Sequence, residues 1–116
     1  MPAIARITTY GRNAFRDRDR LIECLRTRAP FYMASTSGGP VTPDMRPSMG
    51  RLSRETAASI GMGVRAGLVD YLIWSYDTPI AWHVVGRGWV ADDARYTRTT
   101  TDHQHLIRMA INNLEG

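Results

Sequence analysis

Residues 71–104 read YLIWSYDTPIAWHVVGRGWVADDARYTRTTTDHQ, and this run decides the fold. Two apolar stretches, Tyr71–Tyr76 and Ile80–Val85, flank Asp77-Thr78-Pro79, which predicts a strand, a turn and a second strand. A second break follows at Gly86-Arg87-Gly88, where glycine supplies the positive φ of a tight turn, and Trp89-Val90-Ala91 resumes the strand pattern. Asp92-Asp93 makes another turn and Ala94–Arg98 a last strand, so the reading is an antiparallel meander over 71–98. Trp74, Trp82 and Trp89 fall one per strand, and their rings supply much of a small core's buried area.

Helices are expected upstream and downstream of this run. Downstream, Thr101-Asp102-His103-Gln104 fits a capping box, and Leu106, Ile107, Ala110, Ile111 and Leu114 recur at three and four residues, predicting a helix over 102–114. Upstream, Phe15, Leu21, Ile22 and Leu25 recur at helical intervals between a capping Asn13 and a terminating Pro30, predicting a helix over 14–27. Ile4–Tyr10 reads as a short strand and Phe31–Ser35 as a core strand. Residues 36–50, TSGGPVTPDMRPSMG, carry three prolines and three glycines, a composition that predicts a flexible loop. Gly50-Arg51-Leu52 is expected to touch the sheet briefly, and Ser53 to cap a helix that ends near Gly61, while 62–69 has no assigned element. The expected architecture is a single α+β domain over 1–116. In it an antiparallel sheet of four to five strands packs against the C-terminal helix 102–114 and the N-terminal helix 14–27.

Composition bounds the function classes. No uninterrupted apolar run approaches the roughly 20 residues of a membrane span. MPAIARITTYGR lacks the apolar stretch of a secretory signal, so the expected location is the cytoplasm. The single cysteine, Cys24, sits amid Leu21, Ile22 and Leu25 and reads as a packing thiol. All fifteen basic residues are arginine, which a GC-rich coding sequence produces. The positive charge is N-terminal: residues 1–28 carry a net +4 and residues 70–116 a net −2. Within that basic region the signs alternate through Arg16-Asp17-Arg18-Asp19-Arg20, as on a solvated, ion-paired helix face.

Residues that carry chemistry are sparse. His103 and His105 are two apart, so they face different directions on a helix and do not share a metal. No nucleophile elbow, phosphate-binding glycine loop or paired-carboxylate pattern is present. The glycines at 61, 63 and 67 lack the flanking elements of a dinucleotide fingerprint. The sequence therefore predicts no enzyme, no cofactor, no metal and no small-molecule substrate.

Two segments resemble a known pattern. Tyr76-Asp77-Thr78-Pro79-Ile80-Ala81-Trp82, followed by Tyr96-Thr97-Arg98-Thr99-Thr100-Thr101-Asp102-His103-Gln104, is similar to a Tyr-x-Thr-Pro-Ile-Ala-Trp and Tyr-x-x-Thr-Thr-x-x-His-Gln pair. That pair occurs in small uncharacterised proteins of actinobacteriophages, mycobacteriophages especially. Gly50-Arg51-Leu52 is similar to an upstream Gly-Arg-Leu of the same proteins, although Ser53 stands where proline is expected. The resemblance implies no activity. It implies origin: a phage-encoded accessory protein in the cytoplasm of an actinobacterial host.

Macromolecular binding is the expected mode of action. Tyr and Trp are enriched at interface hot spots, which nominates Tyr32, Tyr71, Trp74 and Trp89, with His103, for contact with a host or phage protein or a second copy of the chain. The competing expectation is a basic nucleic-acid-binding domain that uses Arg12, Arg16, Arg18 and Arg20.

Overall fold

The computed structural model describes residues 5–6, 14–33, 35–92 and 98–115. In chain order its elements are β1 (Ala5–Arg6), α1 (Ala14–Thr27), β2 (Phe31–Met33), β3 (Thr36–Pro40), α2 (Arg54–Arg65), β4 (Val69–Ser75), β5 (Thr78–Val84), β6 (Gly88–Ala91) and α3 (Arg98–Glu115). Strands β2 to β6 lie side by side in sequence order, each antiparallel to the next, and the two-residue β1 joins β2 in parallel. This is the expected α+β fold, with five antiparallel strands and the N- and C-terminal helices in place. Among the described residues no helix is long and apolar enough to cross a membrane.

The pleat of the strands sorts their side chains into two cores. Phe31, Met33, Tyr71, Ile73 and Ala81 face α1 and α3, meeting Leu21, Leu25, Ile107, Ala110 and Ile111. Leu72 faces the other way, with Trp74, Trp82 and Val84, toward Ile60 and Val64 of α2. The register explains the division, because Leu72 lies opposite Trp82, which lies opposite Val90, while Tyr71, His83 and Trp89 form the neighbouring row. A bulge at Val69–Tyr71 interrupts it: Val69 pairs with Val84 and Tyr71 with His83, leaving Asp70 as the extra residue.

Four expectations are corrected. The loop expected over 36–50 begins later, because Thr36–Pro40 is β3, inside the sheet between β2 and β4. Gly38 explains why: a Cβ there would collide with the Phe31 ring and lie 3.0 Å from the Tyr71 hydroxyl, so the glycine makes room for two core aromatics. The turn expected at Asp77-Thr78-Pro79 lies at Tyr76-Asp77, since Thr78 and Pro79 already belong to β5. Pro79 is accommodated beside a second register shift, at Ile73/Trp74.

Both helix-end expectations also move. Helix α2 is capped by Ser53 as expected, its side chain accepting from the Thr56 amide at 3.2 Å, but it runs through Gly61 and Gly63 to Arg65. Gly63 is needed for contact, because a Cβ there would meet Val69 Cγ2 at 2.7 Å. Helix α3 begins at Arg98, so Thr101 is a helical residue and not the cap. Gln104, cast as the reciprocal half of a capping box, instead donates to the Asp92 carbonyl at 2.7 Å. Of the strand expected at Ala94–Arg98, residues 94–97 lie outside the described residues and Arg98 is helical.

Candidate functional site

The segments that carry the sequence resemblance meet at one end of the sheet. In the β4–β5 hairpin, Thr78 is buried and its Oγ1 accepts from the Arg51 amide at 2.9 Å. Gly50, at φ 48°, packs against Thr78 and the Asp77 carbonyl with no space for a Cβ. Trp74 Nε1 donates to the Ser48 carbonyl at 3.1 Å, and Ser48 Oγ donates to the Asp77 carbonyl at 3.0 Å. These bonds tie the 48–51 segment to the hairpin. The Gly-Arg-Leu and Thr-Pro elements are therefore two halves of one clasp.

From the other side of the sheet, α3 reaches the same hairpin through His103. Its Nδ1 lies 2.8 Å from Ser75 Oγ, and its ring centroid 6.2 Å from that of Tyr76. Tyr76 holds φ 55° and is exposed, while its amide donates to the Ser35 carbonyl at 2.7 Å. Ser75 is almost fully buried, so its hydroxyl pins the hairpin to α3 and is shielded from a substrate.

A second cluster crosses the molecule. Asp70, the bulge residue, accepts a hydrogen bond from His83 Nδ1 at 2.7 Å, and Arg28 Nη2 donates to His83 Nε2 at 2.6 Å. A guanidinium has no acceptor atom, so Nε2 must accept and the ring proton sits on Nδ1. Arg28 also lies over Trp89, 5.2 Å from the ring centroid, and Trp89 meets His83 and Tyr71 edge-on. Both His83 nitrogens are engaged. The ring is thus a positioning element that fixes the end of α1 to the sheet, not a base with a lone pair open to substrate. Burial pushes the Tyr71 phenol well above its usual range; its hydroxyl donates to the Ala29 carbonyl at 2.6 Å.

One cleft of the molecule is largely apolar. Between α2 and the β4–β5 end of the second face lies a cleft of about 420 Å³ whose lining includes Ile60, Met62, Leu68, Trp82, Val84 and Arg87. Seven large apolar side chains are exposed among the described residues, and two of them, Met62 and Leu68, 64% and 53% exposed, line this cleft. Val85 follows Val84 and its amide bonds to the Leu68 carbonyl, and Val90 stands opposite Trp82. Such clustering marks contact surfaces, whereas singly scattered apolar residues do not.

The structure separates the residues nominated from sequence. Tyr71 is fully buried and is removed as a contact residue. Trp89 packs against the first core under Arg28, and Trp74 is half-buried with its indole N–H bonded to Ser48. Tyr32 is exposed, on β2, three strands away from Trp82 on β5. Arg12 and the Arg16 side chain lie outside the described residues. Arg18 is half-buried in a cleft between α1 and α3, and Arg20 is exposed. Among the described residues no group of three or more His, Cys, Asp or Glu could hold a metal ion.

The cleft was missed because Met62 and Leu68 fall in the segment with no sequence assignment. The Asp70–His83 pair had no usable signal: counting outward from the expected Asp77-Thr78-Pro79 turn sets His83 opposite Ile73, and the bulge at Asp70 has no local signature.

A family model describing a family of unknown function, DUF8033, matches residues 25–113. The chain belongs to DUF8033. No curated protein and no solved structure matches it. The DUF8033 match runs from inside α1 to near the end of α3, so it contains the hairpin clasp, the Asp70–His83–Arg28 cluster and the whole apolar cleft. Arg12, Arg16, Arg18 and Arg20 all precede it.

Proposed function

We propose that this DUF8033 member is a phage-encoded accessory protein that acts by binding another protein, of the host or the phage, and that the α2–β5 cleft is its contact surface. One observation carries the reading: Met62 and Leu68 stand exposed beside a cleft floored by Trp82 and Val84. Exposing them to water is unfavourable by roughly 25 cal/mol per Å² of apolar surface, which a partner recovers on covering them. Support for phage origin is the paired Tyr-x-Thr-Pro-Ile-Ala-Trp and Tyr-x-x-Thr-Thr-x-x-His-Gln resemblance, together with the all-arginine basic set.

The nucleic-acid reading draws less support. Arg28 is committed to His83 and Trp89, and Arg26 pairs with Glu23 at 2.6 Å. The test compares the full chain with its Leu68→Asp variant, each immobilised and exposed to actinobacterial host lysate. A host protein retained by the first and lost from the second supports the reading. Equal retention by both, or a gel-shift on DNA that weakens steeply with salt, refutes it in favour of phosphate contacts.

A further inference from the structure

Resting on the cleft reading above, we infer that its occupant is an amphipathic helix with acidic residues along its flank. Three features of the cleft select that chemistry.

The first is backbone satisfaction. The cleft is walled by helix α2 and floored by β5, which is hydrogen-bonded to β4 on one side and β6 on the other. Its lining elements therefore offer no row of free N–H and C=O groups for an incoming strand to pair with. A segment that covers the cleft has to satisfy its own backbone, and a helix does so. Laying an apolar helical face into such a groove is a recurrent recognition mode, and flexible methionine side chains such as Met62 adapt to it.

The second is charge. Among the described residues Arg87 is the one charged residue of the lining, and no carboxylate lines the cleft with it. Asp70, the nearest acid in sequence on β4, is turned to His83 in the row on the opposite face of the sheet. An apolar strip with an arginine at its edge is complementary to a helix whose stripe of leucine-like residues is bordered by Glu or Asp.

The third excludes the simplest competitor. Because an isologous contact opposes a patch to itself, a second copy seated on the cleft through a two-fold axis would offer Arg87 no carboxylate from among the described lining residues. An arginine covered there without a counter-charge is unfavourable.

The test uses the full chain and two synthetic helical peptides with the same leucine and phenylalanine stripe, one flanked by Glu and the other by Lys. Fluorescence anisotropy gives the affinities, and amide chemical-shift mapping gives the location. The Glu-flanked peptide is expected to bind about tenfold more tightly at low salt, a preference that shrinks as salt rises. Its shifts are expected to centre on Leu68, Val84 and Arg87. Arg87→Glu is expected to reverse the preference, and Leu68→Asp to abolish binding of both peptides. Leu68 and Arg87 are exposed, so dispersed amide spectra of the variants verify that the fold is kept.

Equal binding of the two peptides at the cleft would overturn the charge assignment while leaving the cleft as a protein-binding surface. Failure of either peptide to shift the cleft amides would overturn the helix assignment. Retention of a host protein that Leu68→Asp does not affect would bring down the underlying reading as well. A concentration-dependent dimer that Leu68→Asp dissolves would replace the acidic helix with a second copy of the chain.

Discussion

Asp70 and His83 stand 2.7 Å apart across the β4–β5 hairpin, and the contact exists because a bulge leaves Asp70 without a direct partner in the ladder. The pair links strand register to helix docking. His83 passes the contact on to Arg28, which ends α1 with a φ of 59° in the left-handed region. A non-glycine residue at that position is strained by roughly 1 kcal/mol or more, and here its side chain is held by His83 and Trp89. His83→Ala is expected to cost about 2 kcal/mol, since it removes the acceptor of Arg28 Nη2. Asp70→Asn is expected to cost under about 1 kcal/mol, because the amide oxygen still accepts from Nδ1 and the Asp70 side chain is partly exposed. Urea midpoints of the two variants check the order.

Tyr71 gives the fold an alkaline limit. Burial is the main cause that raises its phenol above the ordinary 10.0, with the neighbouring Cys24 adding to it and Arg28 opposing. An acid whose folded value is raised contributes stability that is fully present below its unfolded value and is lost as pH climbs above it. Stability is therefore expected to fall progressively as pH rises above 10.0, the unfolded value. Tyr71→Phe is expected to flatten that fall. At neutral pH the same variant should cost about 1–2 kcal/mol, because the Ala29 carbonyl loses its donor. Thermal melts across the alkaline range provide the readout.

Two glycines of α2 make opposite predictions. Gly61 has only the Arg65 guanidinium near its would-be Cβ, at 3.4 Å, so Gly61→Ala is expected to stabilise by roughly 0.5–1 kcal/mol through helix propensity. Gly63→Ala sets a methyl 2.7 Å from Val69 Cγ2 in a packed core, and is expected to destabilise by about 1–3 kcal/mol. Opposite shifts of the melting temperature check both.

Much of the fold was legible from local pattern. Strands β4 to β6 of the meander, the helix over 14–27 and the Ser53 cap depend on apolar period, a stop signal and a capping residue, all of which act locally. What failed depended on partners distant in sequence. Gly38 reads as loop punctuation until Phe31 and Tyr71 are placed against it, and Gly63 reads as a helix breaker until Val69 is. The candidate surface divided in the same way. Aromatic residue types were visible from sequence, yet Tyr71 is core and Trp89 is half-buried, because exposure is set by which face α1 and α3 cover. Met62 and Leu68 drew no notice, since an exposed aliphatic residue has no local signature.

Cys24 tests the packing of α1 against that first face. Burial raises its thiol, the nearby Arg20 pulls it down and Glu23 adds a smaller rise, so the thiolate that reacts is scarce. Labelling by a disulfide reagent at mildly alkaline pH is expected to be slow and to accelerate through the unfolding transition. Rapid labelling of the folded protein would mean that α1 leaves the sheet readily.

The cleft is tested most directly by a photo-crosslinking residue placed at Leu68 and, separately, at Tyr32, an exposed position on β2 remote from it. Both proteins are expressed in an actinobacterial host, illuminated, and the adducts resolved by mass spectrometry. The expected result is a discrete protein adduct from position 68 that is missing from position 32. An adduct from position 32 alone, or nucleic acid in place of protein at position 68, would contradict the assignment of the cleft as a protein-binding surface.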